Sequence, residues 1–173
     1  MMDGQARRKE IIRILTESEK AVSGTFLAKK CGVSRQVIVQ DIALIRAENK
    51  NILSTNKGYI LFRPDKKEIF EVICVKHNAA QVYSELCTIV DFGGRVLDVF
   101  VEHEIYGQIK ADLIINNRRD ADEFVQNMND NNVKPLTMLT DGLHYHTIAA
   151  PDRETIEKIK EELAGNGFLA ENL

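Results

Sequence analysis

The chain of 173 residues is long enough for one medium domain or two small ones, and its composition, 44% hydrophobic and 28% charged, is that of a globular protein. No apolar run approaches the length that spans a bilayer, and the charged N-terminus MMDGQARRKE lacks the apolar core of a secretory signal, so we expect a cytoplasmic protein without a membrane partner. The net charge of −3 is unevenly distributed: residues 1–64 hold twelve Lys/Arg and six Asp/Glu, whereas residues 65–173 hold eleven and twenty. A basic first third joined to an acidic remainder indicates two domains, the first suited to a polyanion.

Three amphipathic helices are predicted in the first third. Apolar residues at helical spacing predict a helix over 6–18, and Ser23 and Ser34 are suited to cap a second helix over 25–30 and a third over 35–49. A short turn between the last two makes a helix–turn–helix. On the third helix the outer stripe suits base edges in a major groove. That stripe consists of Arg35, Gln36, Val39, Gln40 and Ala43.

A short β-hairpin is predicted next, over residues 52–61, with a glycine in its turn 55–58. A hairpin directly after a recognition helix is a wing, so residues 1–64 are predicted to be a winged helix–turn–helix DNA-binding domain with Lys57 reaching phosphate. Asp41, an acid on the third helix, is predicted to brace the fold through a salt bridge. The alternative is a winged helix used for protein contacts.

Residues 68–173 are predicted to form a second, α+β domain: an α/β sandwich in the order βαββαββα with its helices on one face. A polar linker over 63–67 joins it to the first domain. The predicted strands are 68–77, 95–103, 108–116 and two within 133–151 that meet at Asp141-Gly142, and the predicted helices are 79–92 after Asn78, 121–130 after Asp120 and 153–167 after Asp152.

Three histidines and one glutamate of the second domain are candidate metal ligands. His144 and His146 are two residues apart in LTDGLHYHTI, so on a strand they share a face. His77 ends the first strand of this domain, and Glu85 lies beside an apolar helix stripe, where a carboxylate is costly unless it is paired or bound to metal. Three imidazoles and a carboxylate suit Zn, Ni, Fe or Mn. A satisfied surface pair or a pH-sensitive pair stays open for the two neighbouring histidines.

The helix GVSRQVIVQDIALIR, a short wing, VKHN, VEHEIYG and LTDGLHYHTI, in this order, resemble the niacin-responsive transcriptional repressors, in which a winged helix precedes a 3H domain named for its histidines. The likeness covers nearly the whole chain. It implies a homodimeric repressor of NAD-precursor synthesis and niacin-uptake genes that binds double-stranded operator DNA with nicotinic acid as co-repressor. It also implies one divalent transition metal, Ni or Zn, held by His77, Glu85, His144 and His146.

The resemblance leads to a hypothesis for the effector. The ring nitrogen of nicotinate would bind the metal, and its carboxylate would need donors, of which His103, Tyr106 and Arg95 are the nearest in sequence. One alternative is a repressor for which the metal itself is the signal. Another is an enzyme with a regulatory DNA-binding domain. Because the chain shows no phosphate-cradling Gly-rich loop, nucleophile elbow or H-E-x-x-H motif, we predict that it is not an enzyme.

Overall fold

The computed structural model describes residues 3–48, 51–63 and 67–170. The chain divides into two compact units, residues 1–64 and 65–173. Each unit has a hydrophobic core built from its own residues, which is the usual requirement for a domain.

Three helices form most of the first unit, and each begins at a side-chain cap. Asp3, Ser23 and Ser34 each accept a hydrogen bond from the backbone N–H three residues later, which satisfies a donor that the first turn leaves unpaired. The predicted caps Ser23 and Ser34 are therefore confirmed. The helices are α1 (Gly4–Glu17), α2 (Gly24–Cys31) and α3 (Arg35–Ala47).

The core of the first unit lies between these helices and the hairpin. On α3 the inner stripe of Ile38, Ile42 and Ile45 is buried, and the opposite side of the helix is exposed. Each isoleucine that is fully buried contributes about 1.5–3 kcal/mol relative to an exposed one. The buried stripe therefore holds α3 in place and leaves its outer side chains out of the core.

The wing is an antiparallel hairpin of β1 (Ile52–Thr55) and β2 (Gly58–Leu61) joined by a two-residue turn. Val22 extends it as a single bridging residue, because its N–H and C=O each bond to Tyr59 at 2.8 Å. Gly58 has a φ of 134°, and a Cβ there would lie 2.2 Å from the Val22 carbonyl oxygen. Only glycine fits at this turn, and the predicted wing is present.

The second unit is a four-stranded antiparallel sheet in the order β3-β6-β4-β5, covered on one face by helices, as predicted. Its core packs Ile73, Val96 and Ile148 of the sheet against side chains such as Leu86 and Ile159 of the helices. The strands are β3 (Ile69–Lys76), β4 (Arg95–His103), β5 (Gly107–Ile115) and β6 (Leu143–Ala150), and the helices are α4 (Val82–Asp91), α5 (Arg118–Asp130) and α6 (Arg153–Gly165).

One predicted strand is wrong: the residues before Asp141-Gly142 form a 3₁₀ turn over 136–140 instead. β6 lies inside the sheet with β3 and β4 on its two edges, so no edge of β6 is available for a hairpin partner. Pro135 has no N–H to donate, and the Gly142 N–H donates to the Thr137 carbonyl at 2.9 Å, which closes the turn. The order of this unit is therefore βαββαβα rather than βαββαββα.

The start of α5 also differs from the prediction. Asn117, not Asp120, caps this helix, because its side chain accepts the Asp120 N–H at 3.0 Å. Asp120 lies in the first turn, and its carboxylate accepts the Asn116 N–H at 3.0 Å. Both side chains thus accept hydrogen bonds from backbone N–H groups at the beginning of the same helix.

Two sequence predictions lie partly outside the described residues: the end of the third helix at residue 49 and the linker over 63–67. Cys31, Cys74 and Cys87 are buried and free. Among the helices of the described residues, none is long and apolar enough to cross a membrane.

Candidate functional site

The four predicted metal ligands lie together beside the sheet of the second unit. His77 directly follows β3, Glu85 is in the first turn of α4, and His144 and His146 lie on β6. The β3–β6 register places Val75 opposite His144. Residues that face each other across an antiparallel pair share a face, so both β6 imidazoles lie on the side covered by the helices.

Glu85 is at the centre of this cluster. Its Oε2 lies 2.7 Å from His77 Nε2 and 3.5 Å from His144 Nε2, and its Oε1 lies 3.1 Å from His146 Nε2. The ligand atoms of His77, Glu85 and His144 are all within 4.8 Å of one another. The four side chains are almost wholly buried, so their charged and polar atoms face one another rather than water.

The other ring nitrogen of each imidazole bonds to a backbone carbonyl. The carbonyls belong to Asn78, Gly142 and Asp98, at 2.8, 2.8 and 2.5 Å from the respective Nδ1 atoms. A carbonyl can only accept, so all three Nδ1 atoms carry the proton. In neutral imidazoles the Nε2 lone pairs then point at Glu85. This is the arrangement that a metal-binding histidine usually has.

The cluster lacks a hydrogen-bond donor at its centre. Three Nε2 lone pairs and one carboxylate are all acceptors, and they need a cation or extra protons between them. Glu85 Oε1 and His146 Nε2 have no hydrogen-bond partner among the described residues, although they are 3.1 Å apart, because their directions do not suit a hydrogen bond. A buried acceptor without a partner is costly, and a metal ion would satisfy all four groups at once.

The pKa values of the cluster reflect the attraction between the Glu85 carboxylate and the imidazoles. Burial alone lowers the pKa of His77 and of His146, but the adjacent Glu85 carboxylate outweighs it and raises both. Burial also raises the pKa of Glu85, yet the charge of His146 and the other imidazoles hold it well below its usual range. The ionised Glu85 carboxylate thus stabilises positive charge on the imidazoles, and it would stabilise a dication for the same reason.

A cavity of about 200 Å³ adjoins the cluster. Glu85, His144 and His146 lie in its wall, and most of the other lining side chains are apolar. Lys134 also lines it and is exposed. The cavity lining therefore combines coordinating groups, a cation and apolar side chains.

The predicted effector residues His103, Tyr106 and Arg95 do not line this cavity. His103 Nδ1 accepts the backbone N–H of Ile105 at 3.2 Å and of Tyr106 at 3.3 Å, so it organises the β4–β5 turn. Arg95 bonds to Glu68 at 2.6 Å at the other end of β4. Arg95 and His103 are the two end residues of β4, whereas Val99 in its middle lines the cavity.

Gly142 is a supporting residue for which the sequence predicts only a turn. Its carbonyl accepts from His144 Nδ1 at 2.8 Å and from the His77 backbone N–H at 3.3 Å, so it connects two members of the cluster. Its φ is 84°, and a Cβ would lie 2.4 Å from the His77 carbonyl oxygen. The Asp-Gly pair signalled a turn, but the contact with His77 is long-range.

Asp98 positions His146 from a bulge in β4. Its carbonyl accepts from His146 Nδ1, while its buried carboxylate accepts the Thr147 N–H at 2.8 Å and pairs with Lys110 at 2.5 Å. In the sequence, the indication of this role is an acidic residue inside a strand of apolar residues. Its partners, however, lie on two other strands.

In the first unit the predicted DNA-facing side chains are exposed. Arg35, Gln36, Val39 and Gln40 are all exposed on α3, and Lys57 is exposed at the tip of the wing. This is the arrangement that a major-groove helix with a phosphate-contacting wing requires.

The bracing role predicted for Asp41 is confirmed. Asp41 is buried, and its carboxylate lies 2.5 Å from Arg7 Nε and 3.4 Å from Arg8 on α1. In the second unit Arg118 forms a bidentate salt bridge with Asp91, with contacts at 2.6 and 2.7 Å.

A recognition helix, a wing and a separate unit with a buried cluster of metal-ligand types define a winged-helix transcription regulator. The chain matches the HTH domain family over residues 7–60 and the 3H domain family over residues 70–172. It is 44% identical over 167 residues to "Probable transcription repressor NiaR" of Thermotoga maritima, which is 96% of this chain and 95% of that protein. It is 37% identical over 169 residues to "Transcription repressor NadR" of Bacillus subtilis, 96% and 94% of the two chains.

The chain therefore belongs to the 3H-domain family of transcription repressors. The family and fold predicted from the sequence are confirmed. So is the prediction that the chain is not an enzyme, because its relatives are DNA-binding repressors.

Proposed function

We propose that this repressor controls genes of NAD-precursor synthesis and niacin uptake, with nicotinic acid as its co-repressor. The names of the relatives, NiaR and NadR, support the connection to niacin and NAD. The observation that carries the proposal is the convergence of three imidazole Nε2 atoms on the Glu85 carboxylate, beside a cavity of about 200 Å³. Such an arrangement would suit a metal and a small ligand next to it.

The residues that would hold the metal are His77, Glu85, His144 and His146, and Ni or Zn suits three imidazoles with one carboxylate. When bound, such a metal supplies a coordination position that a pyridine nitrogen can take. The chain itself keeps the Nε2 lone pairs directed inward through Nδ1 hydrogen bonds, and it excludes water by burial. The cavity walls would receive the ring.

On DNA, Arg35, Gln36, Val39 and Gln40 would contact base edges and Lys57 a phosphate. A homodimer would present two recognition helices to half-sites about 34 Å apart or multiples of that distance. For nicotinate to act as co-repressor, it must bind the DNA-competent form of the dimer more tightly than the other form.

The test is a calorimetric titration of nicotinate into the metal-loaded full-length chain, repeated after removal of the metal with a chelator. We expect saturable binding to the loaded protein that is lost with the metal, and operator affinity that rises when nicotinate is present. His144→Ala should lower the metal content measured by elemental analysis. His103→Ala, a histidine outside the cluster, should leave it unchanged and is the matched control.

The comparisons do not favour the alternative in which the metal itself is the signal. The same experiment separates the two functions. If operator binding requires the metal but does not respond to nicotinate, the co-repressor proposal is wrong and the metal is the signal. Equal metal content in His144→Ala and the original chain would remove His144 from the proposed site.

A further inference from the structure

The loop before the 3₁₀ turn contributes an exposed lysine to the lining of the cavity. Lys134 follows α5 in the sequence NNVKP and is exposed. It makes no hydrogen bond or ion pair with any other of the described residues, unlike Arg118 and Arg119 at the start of α5, which pair with Asp91 and Glu123. A cation with no protein partner beside a cavity is available to an anionic ligand.

The cavity lining combines three kinds of side chain that together select a ligand. Glu85, His144 and His146 supply acceptors, and the exposed Lys134 supplies a cation. The other lining side chains are mostly apolar and come from the sheet and from two helices. Examples are Val99, Leu113, Leu86, Phe124 and Met128. A matching ligand has an apolar ring, a coordinating atom on one side and an anionic group on the other.

The size of the cavity limits the ligand further. Its volume is about 200 Å³. An apolar cavity of roughly 150 Å³ accommodates one benzene ring, whereas sites for drug-sized ligands occupy about 300–1,000 Å³. The space therefore suits one six-membered ring with a carboxylate and is too small to enclose a whole nucleotide.

We propose that Lys134 binds the carboxylate of the effector and makes the site select a single-ring aromatic acid over the corresponding amide. The inference rests on the proposed function, because it takes nicotinate as the ligand. A lysine ammonium attracts a carboxylate by charge, whereas a neutral amide offers only a carbonyl to the same donor. Lys134 is thus a specificity-determining residue, and His103, Tyr106 and Arg95 are not needed for this contact.

Three small ligands test separately the contact of the ring nitrogen and the contact of the carboxylate. Nicotinate has the ring nitrogen and the carboxylate, nicotinamide has only the ring nitrogen, and benzoate has only the carboxylate. Each is titrated by calorimetry into the metal-loaded full-length chain and into its Lys134→Met and Lys134→Arg variants. Lys76→Met is the matched control, because Lys76 is an exposed lysine next to His77 that does not line the cavity.

We expect the original chain to bind nicotinate more tightly than nicotinamide. Lys134→Met should weaken nicotinate about tenfold, the range for a charged hydrogen bond at a partly exposed site, and change nicotinamide less than about twofold. Lys134→Arg should restore most of the affinity, and Lys76→Met should leave it unchanged. The affinity for nicotinate should fall with added salt in the original chain and much less in Lys134→Met.

Two kinds of failure are distinguishable. If the original chain binds none of the three ligands, the proposed co-repressor function fails and Lys134 loses its role with it. If nicotinate binds the original chain and Lys134→Met equally well, only the role of Lys134 is overturned. Equal losses for nicotinate and nicotinamide in Lys134→Met would also overturn it, because the substitution would then have changed the shape of the cavity rather than a charge contact.

Discussion

The two units expose their polar functional side chains to opposite surroundings. In the first, Arg35, Gln36 and Gln40 lie in solvent on a helix that is anchored by its other face. In the second, Glu85 and three imidazoles are buried and can be stabilised only by groups that face them. A solvent-exposed surface can therefore change its specificity without cost to the fold, whereas the buried cluster is coupled to the stability of its unit.

The largest expected effect comes from Gly142→Ala, which tests that coupling. A residue with a side chain at a φ of 84° is strained, and its Cβ would meet the His77 carbonyl oxygen at 2.4 Å. We expect the free energy of unfolding in urea to fall by at least about 3 kcal/mol, and metal binding to weaken because His77 and His144 both move.

The matched control is Gly107→Ala. Gly107 has a φ of 68°, also left-handed, but nothing lies within 4 Å of the position of a Cβ. This variant should lose only about 1–2 kcal/mol and keep its metal. Equal losses in the two variants would mean that backbone strain alone explains both, and that the contact between Gly142 and His77 does not support the cluster.

A smaller effect, and one confined to DNA binding, is expected on the exposed surface of the first unit. Gln36→Ala or Gln40→Ala should reduce the preference for operator over random DNA by about 1–3 kcal/mol, because a base contact is lost. The free energy of unfolding should change by less than about 0.5 kcal/mol. Fluorescence anisotropy with both DNAs, together with urea unfolding, measures the two quantities.

Lys57→Ala is the comparison for these glutamines. It should weaken binding to operator and random DNA alike and lower the dependence of affinity on salt by about one counterion. If the glutamine variants lose affinity equally for both DNAs, they contact the backbone of DNA and the predicted recognition surface is wrong.

The smallest effect is expected at a surface ion pair of the second unit, whose carboxylate is partly buried. Lys160 Nζ donates to the Glu71 carboxylate at 2.9 Å and, with Arg153, lowers the pKa of Glu71 below its usual 4.5. A lowered pKa in the folded state means that the stabilisation is fully present above about pH 4.5 and is lost as pH falls through the lowered value. Glu71→Gln should cost up to about 1 kcal/mol at pH 7, and this cost should shrink as the pH falls from about 4.5 through the lowered pKa of Glu71.

Urea unfolding of both chains across this pH range checks the sign. Glu154→Gln removes another surface carboxylate, 77% exposed and paired among the described residues with Lys158 alone, and should show a difference near zero throughout. A cost of Glu71→Gln that stays constant or grows toward low pH would contradict the assignment of the ion pair.

Local signals were sufficient for much of the fold. Ser23 and Ser34 before apolar periods placed the beginnings of α2 and α3, and the glycine at the hairpin turn placed the wing. The i and i+2 spacing of His144 and His146 placed both on one face of a strand. These features depend on neighbours in the chain, so their physical cause is visible in a short stretch of sequence.

Two other predictions depended on contacts between distant parts of the chain. They are the strand predicted before Asp141-Gly142, where the structure has a 3₁₀ turn over 136–140, and the effector residues. Whether a segment pairs as a strand depends on a free sheet edge, and both edges of β6 are taken by β3 and β4. Likewise, the nearness of His103 and Arg95 to the cluster in sequence says nothing about the cavity, which is lined from α4, α5, the sheet and the loop that carries Lys134.

The amino-acid sequence by itself determined the class of protein, the winged helix, the outer surface of α3 and the three histidines that meet around Glu85, because periodicity, caps and distinctive motifs are local properties. Only the tertiary structure decided which carbonyls hold the imidazoles, that Gly142 packs against His77, and that Lys134 stands at the cavity. Those relations join residues far apart in the chain, and they arise only when the sheet and helices pack around one core.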